Sequence, residues 1–186
     1  RHYETYFCKT SDDVINKIKE IIPKCSSISW GGSMTIRDTG VTKMLKDGSY
    51  NVFDSDDVTT QEDKVKIDRK AFECDYYLAS VNAISEDGVI VNIDGNGNRV
   101  AAITWGPEHV ILIVGLNKVC QDLDSAIKRA RSTAAPINMA RFDFKTPCQI
   151  DGMCHDCKSS NSICNYISIQ RMSHPAKRHI IILVDE

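Results

Sequence analysis

The sequence predicts an α/β fold: a mainly parallel sheet with helices on both faces, plus one β-hairpin. Three observations predict it. Short apolar runs alternate with segments of helical periodicity through the first eighty residues, the pattern of βαβ units. The later runs VILIVGL (110–116) and IIILV (180–184) are continuously apolar, as strands buried on both faces are. Between the two regimes, NAISEDGVIVNIDG carries a turn signal inside an alternating pattern, which reads as a hairpin.

The elements follow in order. YETYFC (3–8) is a short strand. In SDDVINKIKEIIP, Ser11 or Asp12 caps a helix whose Val14, Ile15, Ile18, Ile21 and Ile22 share one face before Pro23 stops it. SSISW (26–30) is a strand running into GGS, and a helix from about Met34 to Lys46 follows with Gly40 inside it. YNVFD (50–54) is a strand, and Thr60 with Asp63 opens a charged helix ending near Phe72. DYYLAS (75–80) is the next strand. In the hairpin, Glu86, Asp87 and Gly88 form the turn, and Val89, Val91 and Ile93 alternate with more polar or outer positions. NGNRVAAITW is a glycine-rich turn opening a short helix, and HVILIVG (109–115) is a buried strand. Asp122 caps a helix with Leu123, Ala126, Ile127 and Ala130 inward, and Pro136 to Phe144 is another short helix. ICNYISIQRM (163–172) and RHIIILVDE (178–186) close the chain as two strands. The domain organisation expected is an α/β core over 1–147, a cysteine-rich metal-binding insertion over 148–164, and closing strands of the core over 165–186.

Composition narrows the function. Hydrophobic residues make up 42% and charged residues 26%, with a net charge of −2. That balance gives no electrostatic basis for binding nucleic acid or an anionic membrane, and the apolar runs are too short to span a bilayer. RHYETYFC lacks the apolar core of a signal peptide. A reducing cytoplasmic setting is therefore expected, where thiols stay reduced or hold metal.

Two glycine loops, SW-GGSMT (29–35) and NID-GNGNR (92–99), each follow a strand and open a helix. Loops of this kind hold anions, because glycine lets the backbone approach and a helix start offers free N–H groups. The expected ligand is a small carboxylate or phosphate-bearing molecule. Its candidate contacts are Gly31, Gly32, Ser33, Asn82, Asp94, Gly95, Gly97, Asn98 and Arg99, with Arg99 as the fork that orients the anion. Glu86, in the turn Ser85-Glu86-Asp87-Gly88, is the candidate catalytic carboxylate. Read blandly, these glycines only satisfy tight turns and Glu86 is a solvated hairpin tip.

The stretch CQIDGMCHDCKSSNSIC holds Cys148, Cys154, Cys157 and Cys164 at spacing C-x5-C-x2-C-x6-C. A two-residue chelate loop flanked by Gly152 and a Ser/Asn run suits a four-thiolate metal site, holding zinc or an iron–sulfur cluster, ahead of four free thiols and, last, disulfides. His155 is a further possible donor. Cys8, Cys25, Cys74 and Cys120 lie singly and read as packed thiols. His109, His174 and His179 read as packed or loop residues.

Together, WGGSMTIRDTGV, NAISEDGVIVNIDGNGNRVAAITWGP, GLNKV, AAPINMAR, TPC and the cysteine cluster resemble the LUD domain family, the lactate utilization protein group. They are most similar to its short single-domain bacterial members with a cysteine-rich C-terminal segment. The resemblance implies a fold like that of the NagB/RpiA/CoA-transferase group. It also implies a role in lactate oxidation beside iron–sulfur redox partner proteins, as an accessory or redox subunit. Family I CoA transferases carry a nucleophilic glutamate in a Ser-Glu-Asn-Gly turn. Ser85-Glu86-Asp87-Gly88 is similar, with Asp for Asn, which implies a CoA-transferase-like use of Glu86.

Overall fold

Eight α-helices and ten β-strands, with short 3₁₀ and π turns, form among residues 1–185, which the computed structural model describes. They fall into two compact units. The larger comprises residues 2–80, 101–117 and 173–185. The smaller comprises Arg1, 81–100 and 118–172.

The larger unit is built on a six-stranded parallel sheet, in the order β1 (Glu4–Cys8), β10 (His179–Val184), β7 (His109–Gly115), β4 (Tyr76–Ala79), β2 (Ser27–Trp30), β3 (Asn51–Phe53). Its register sets the core. Trp30 pairs with Leu78, Leu78 with Ile111, and Ile111 with Ile180, so alternate residues share one face. That face buries against α1 (Ser11–Ile21), α2 (Met34–Asp38) and α3 (Val41–Leu45) through Val14, Ile18, Ile36, Val41 and Leu45. The other parity, Tyr77, Ala79, Val110, Leu112, Val114 and Ile181, is buried too. This explains the continuous apolar runs.

Two local expectations need correction here, and a third holds. The N-cap of α1 is Thr10, not Ser11 or Asp12: Thr10 forms a capping box with Asp13. The helix expected over 34–46 is two helices, because Gly40 sits at φ 73, a left-handed geometry that ends one helical run and starts another. The charged helix α4 (Gln61–Lys70) starts at Thr60 as predicted and gives way to a 3₁₀ turn over Ala71–Glu73.

The smaller unit carries its own four-stranded sheet, in the order β8 (Val119–Cys120), β5 (Ala83–Ser85), β6 (Ile90–Asp94), β9 (Tyr166–Gln170). β5 and β6 form the predicted antiparallel hairpin. All of β6 is buried, including Asn92 and Asp94, so the expected polar outer face is an interior one. α6 (Leu123–Arg129) is capped by Asp122 as predicted and packs Ala126 on Ala83, Val91 and Ile93. It runs through a π-helical turn, Ala130–Ala134, into α7 (Ala135–Met139). The helix expected over 136–144 thus starts earlier and stops at Met139. The two closing strands divide between the sheets: β9 pairs with β6, and β10 lies between β1 and β7. α5 (Asn98–Thr104) is shared along the chain, its first turn belonging to the smaller unit and its last to the larger.

Candidate metal centre and the glycine loops

Cys148, Cys154, Cys157 and Cys164 line one cavity of about 70 Å³ in the smaller unit. Its other walls are Ile93 of β6, Arg131 of the π turn, Ala135 and Pro136 of α7, and Ile167 of β9, with His155 and Asp156. Each thiol is placed by a local device. Cys148 lies in α8 (Pro147–Asp151), whose buried Thr146 donates its N–H to Gln149 Oε1 at 3.3 Å. Gln149 Nε2 in turn donates to Phe142 O at 2.6 Å and Met139 O at 3.2 Å, tying α8 to the end of α7. Gly152, at φ 75, ends α8 and turns the chain toward Cys154. Asp151 holds the chelate loop, accepting from Met153 N at 2.9 Å and pairing with His155 Nε2 at 2.7 Å. Asp156 between the two central cysteines has a positive φ of 50 and pairs with Arg131. Cys164 N donates to Ser162 Oγ at 3.1 Å.

The electrostatics of the cavity are those of crowded thiols. Loss of hydration pushes the Cys164 thiol above its ordinary pKa, and Cys154, Cys148 and Cys157 push it further the same way. Cys164 as a residue remains solvent-accessible, so this reflects crowding around the sulfur itself. Among the described residues, no group of three or more His, Cys, Asp and Glu side chains is placed so that it could hold a metal ion. The thiols ring the cavity instead of closing on a point.

The NGNR loop lies against this segment. A Cβ on Gly95 would stand 3.2 Å from Ile163 Cα, and one on Gly97 would stand 3.3 Å from the Tyr166 ring. Asn165 Nδ2 donates to Gly95 O at 3.0 Å. Gly97 also has φ 82. The two glycines therefore let the residues flanking Cys164 approach the backbone. The loop amides already have an anion: Asp94 Oδ1 accepts from Asn96 N (3.2 Å) and Gly97 N (3.0 Å), and Asp94 Oδ2 accepts from Val100 N (3.1 Å). Arg99 donates to Asn92 Oδ1 (2.9 Å), Asn82 Oδ1 (3.0 Å) and Ile93 O (2.7 Å). Its guanidinium thus clamps β6 to the residue before β5. Asn98 begins α5 beside it.

The remaining predicted site residues lie elsewhere. Gly31, Gly32 and Ser33 belong to the larger unit, whereas Asn82, Asp94, Gly95, Gly97, Asn98 and Arg99 belong to the smaller. Gly31 N donates to Leu78 O at 3.0 Å, and Ser33 is the N-cap of the five-residue α2 without a side-chain capping bond. Glu86 is exposed at the hairpin tip, its N–H donating to Cys120 O at 2.7 Å. Neither Glu86 nor Arg99 lines the thiol cavity. Of the single cysteines, Cys74 is buried and its thiol is pushed up to about 11 by that burial, which makes it inert.

Arg131, Ile93, Pro136 and Ile167 are cavity residues that sequence reasoning missed. The one signal available was an arginine within an alanine-rich helix. None of the described helices is long and apolar enough to cross a membrane.

Comparison with known proteins adds the family. No curated protein matches the chain. Among solved structures, a DUF162 family protein from Deinococcus radiodurans is similar over 99% of this chain and 88% of its own, at 11% identity and a TM-score of 0.55. That likeness shows a shared fold. Partial similarity extends to ribose 5-phosphate isomerase from Plasmodium falciparum (15% identity, TM-score 0.38, 59% of this chain and 52% of that one). It extends also to eIF2B delta from Chaetomium thermophilum (14% identity, TM-score 0.41, 65% and 54%). The LUD domain family description matches residues 1–184, nearly the whole sequence. The chain belongs to the LUD domain family.

Proposed function

We propose that this LUD-family protein holds a metal centre on Cys148, Cys154, Cys157 and Cys164, and that the centre is an iron–sulfur cluster serving electron transfer in lactate utilization. The observation that carries the reading is the gathering of four thiols, from one seventeen-residue segment, around one cavity. The Cys164 thiol resists ionisation; a bound cation would reverse that by stabilising thiolates. The cavity of about 70 Å³ is several times the ~10–15 Å³ that admits one water, which favours a polynuclear cluster over a single zinc ion. Ile93, Ala135, Pro136 and Ile167 give it the apolar walls that set a cluster's potential. Arg131 also lines the cavity, its charge shared with Asp156.

The small anion expected at the glycine loops has weaker support, since Asp94 and the two asparagines already engage the loop amides and Arg99. Glu86 as a nucleophile rests only on the similarity of its turn.

Anaerobic purification followed by iron, sulfide and zinc analysis tests the proposal. About four iron and four sulfide per chain, lost in Cys157→Ala, is the expected result for a four-thiolate cubane. One zinc per colourless chain would leave the site but remove the redox role, and metal unaffected by Cys157→Ala would remove the site.

A further inference from the structure

β9 is the outer strand of the smaller sheet and pairs on one side only, with β6. Proteins that stay monomeric protect such an edge with charge, proline, a bulge or a covering segment. β9 reads YISIQ, with no charge and no proline. Its apolar side chains are also open to solvent: Tyr166 51%, Ile167 51% and Ile169 48% exposed. Most of the exposed large apolar side chains among the described residues lie between Ile137 and Met172 of this same unit.

An unprotected strand edge accepts another strand, and its own side chains choose which. YISIQ is self-complementary about its centre. Two copies run antiparallel about Ser168 would set Ile167 opposite Ile169 of the second copy, Tyr166 opposite Gln170, and Ser168 opposite its own equivalent. Directly opposed residues share a face of the sheet. Every opposed pair is therefore apolar with apolar or polar with polar, apart from the amphipathic Tyr–Gln pair, and no charge is buried. A two-fold arrangement of this kind closes on itself, so pairing stops at two.

We propose that β9 pairs with β9 of a second copy of this chain, joining two four-stranded sheets into one continuous sheet of eight. The pairing has a consequence for the thiol cavity. Ile167 lines that cavity, so Ile169 of the second copy lies beside a cavity wall and shields it from solvent. Pairing depends on the edge alone and not on what the thiols hold, so it stands or falls separately from the metal proposal.

Sedimentation equilibrium of the full chain over a dilution series, with and without metal, tests this. The expected mass is that of two chains. Ile169→Lys should halve it to one chain, with an unchanged circular dichroism spectrum because the side chain is half exposed. Ile150→Lys, on α8 and 89% exposed, should leave the two-chain mass intact. Hydrogen exchange gives a second readout: amides of 166–170 should be protected in the wild type and exchange faster in Ile169→Lys. A one-chain mass for the wild type at every concentration would overturn the proposal. So would a two-chain mass that Ile169→Lys leaves untouched.

Discussion

His179 and Arg178, two adjacent residues ahead of the last strand's apolar run, show how buried polar groups are satisfied without charge partners. Arg178 donates to Pro107 O at 3.0 Å, Ile103 O at 2.7 Å, Thr104 O at 3.3 Å and Ala102 O at 3.3 Å. The guanidinium thus closes the C-terminal carbonyls of α5, which helix geometry leaves unpaired. Arg178→Leu should cost about 3 kcal/mol in urea unfolding, since those buried carbonyls lose a charged donor. His179 is buried, with Nδ1 3.0 Å from Ser173 Oγ and Nε2 2.8 Å from Ile103 O. Burial is the main cause lowering its pKa from 6.5 to about 4, and the Arg178 charge adds to it. Between those values the unfolded chain takes up a proton that the folded chain refuses. Stability is therefore full above about pH 6.5 and falls as the pH drops toward 4, by about 3 kcal/mol in all. Thermal melts from pH 7 to 4 check this. His179→Gln should flatten that fall, and an unchanged acid slope in the variant would assign the loss to other groups.

At the scale of elements, caps and glycines carry the most legible information. Thr10 and Asp13 close the capping box of α1, so Thr10→Ala should lower the unfolding free energy, read from urea denaturation, by about 1 kcal/mol. The corresponding signal placed α4 and α6 correctly, because Thr60 and Asp122 state their role in sequence. Gly40 misled, because a single glycine is compatible with a weakened helix or with a break; its left-handed geometry decides for the break. Gly97 is read best together with Tyr166. Gly97→Ala faces both a positive φ of 82 and a ring at 3.3 Å, and should destabilise by about 1–2 kcal/mol. If the thiols hold a metal, the same variant should also lose it faster to a chelator than wild type, because the loop supports the residues flanking Cys164. Equal release rates would separate the glycine loop from the thiol cavity.

At the scale of the whole molecule, the chain makes two units from interleaved segments. The parallel sheet takes its last strand from residues 179–184, and the smaller sheet takes residues 166–170. If the thiols hold a metal, its binding free energy is stability of the smaller unit, which alone carries all four. Metal removal should therefore speed proteolysis within 148–164 before it affects fragments of the larger unit. Limited digestion with mass spectrometric mapping checks this order; simultaneous loss of both units would show one cooperative structure.

The sequence by itself determined the α/β class, the order of strands and helices through the first half, the hairpin, and the four-cysteine cluster as a coherent group. Those features follow from periodicity, caps and spacing, which are local. Only the tertiary structure decided that the hairpin and the penultimate strand build a second sheet, since strand pairing across seventy residues leaves no periodic trace. It decided likewise what the NGNR loop does. Glycines that admit an anion and glycines that admit a neighbouring chain are identical in sequence, and only the approach of Ile163 and Tyr166 to Gly95 and Gly97 tells them apart.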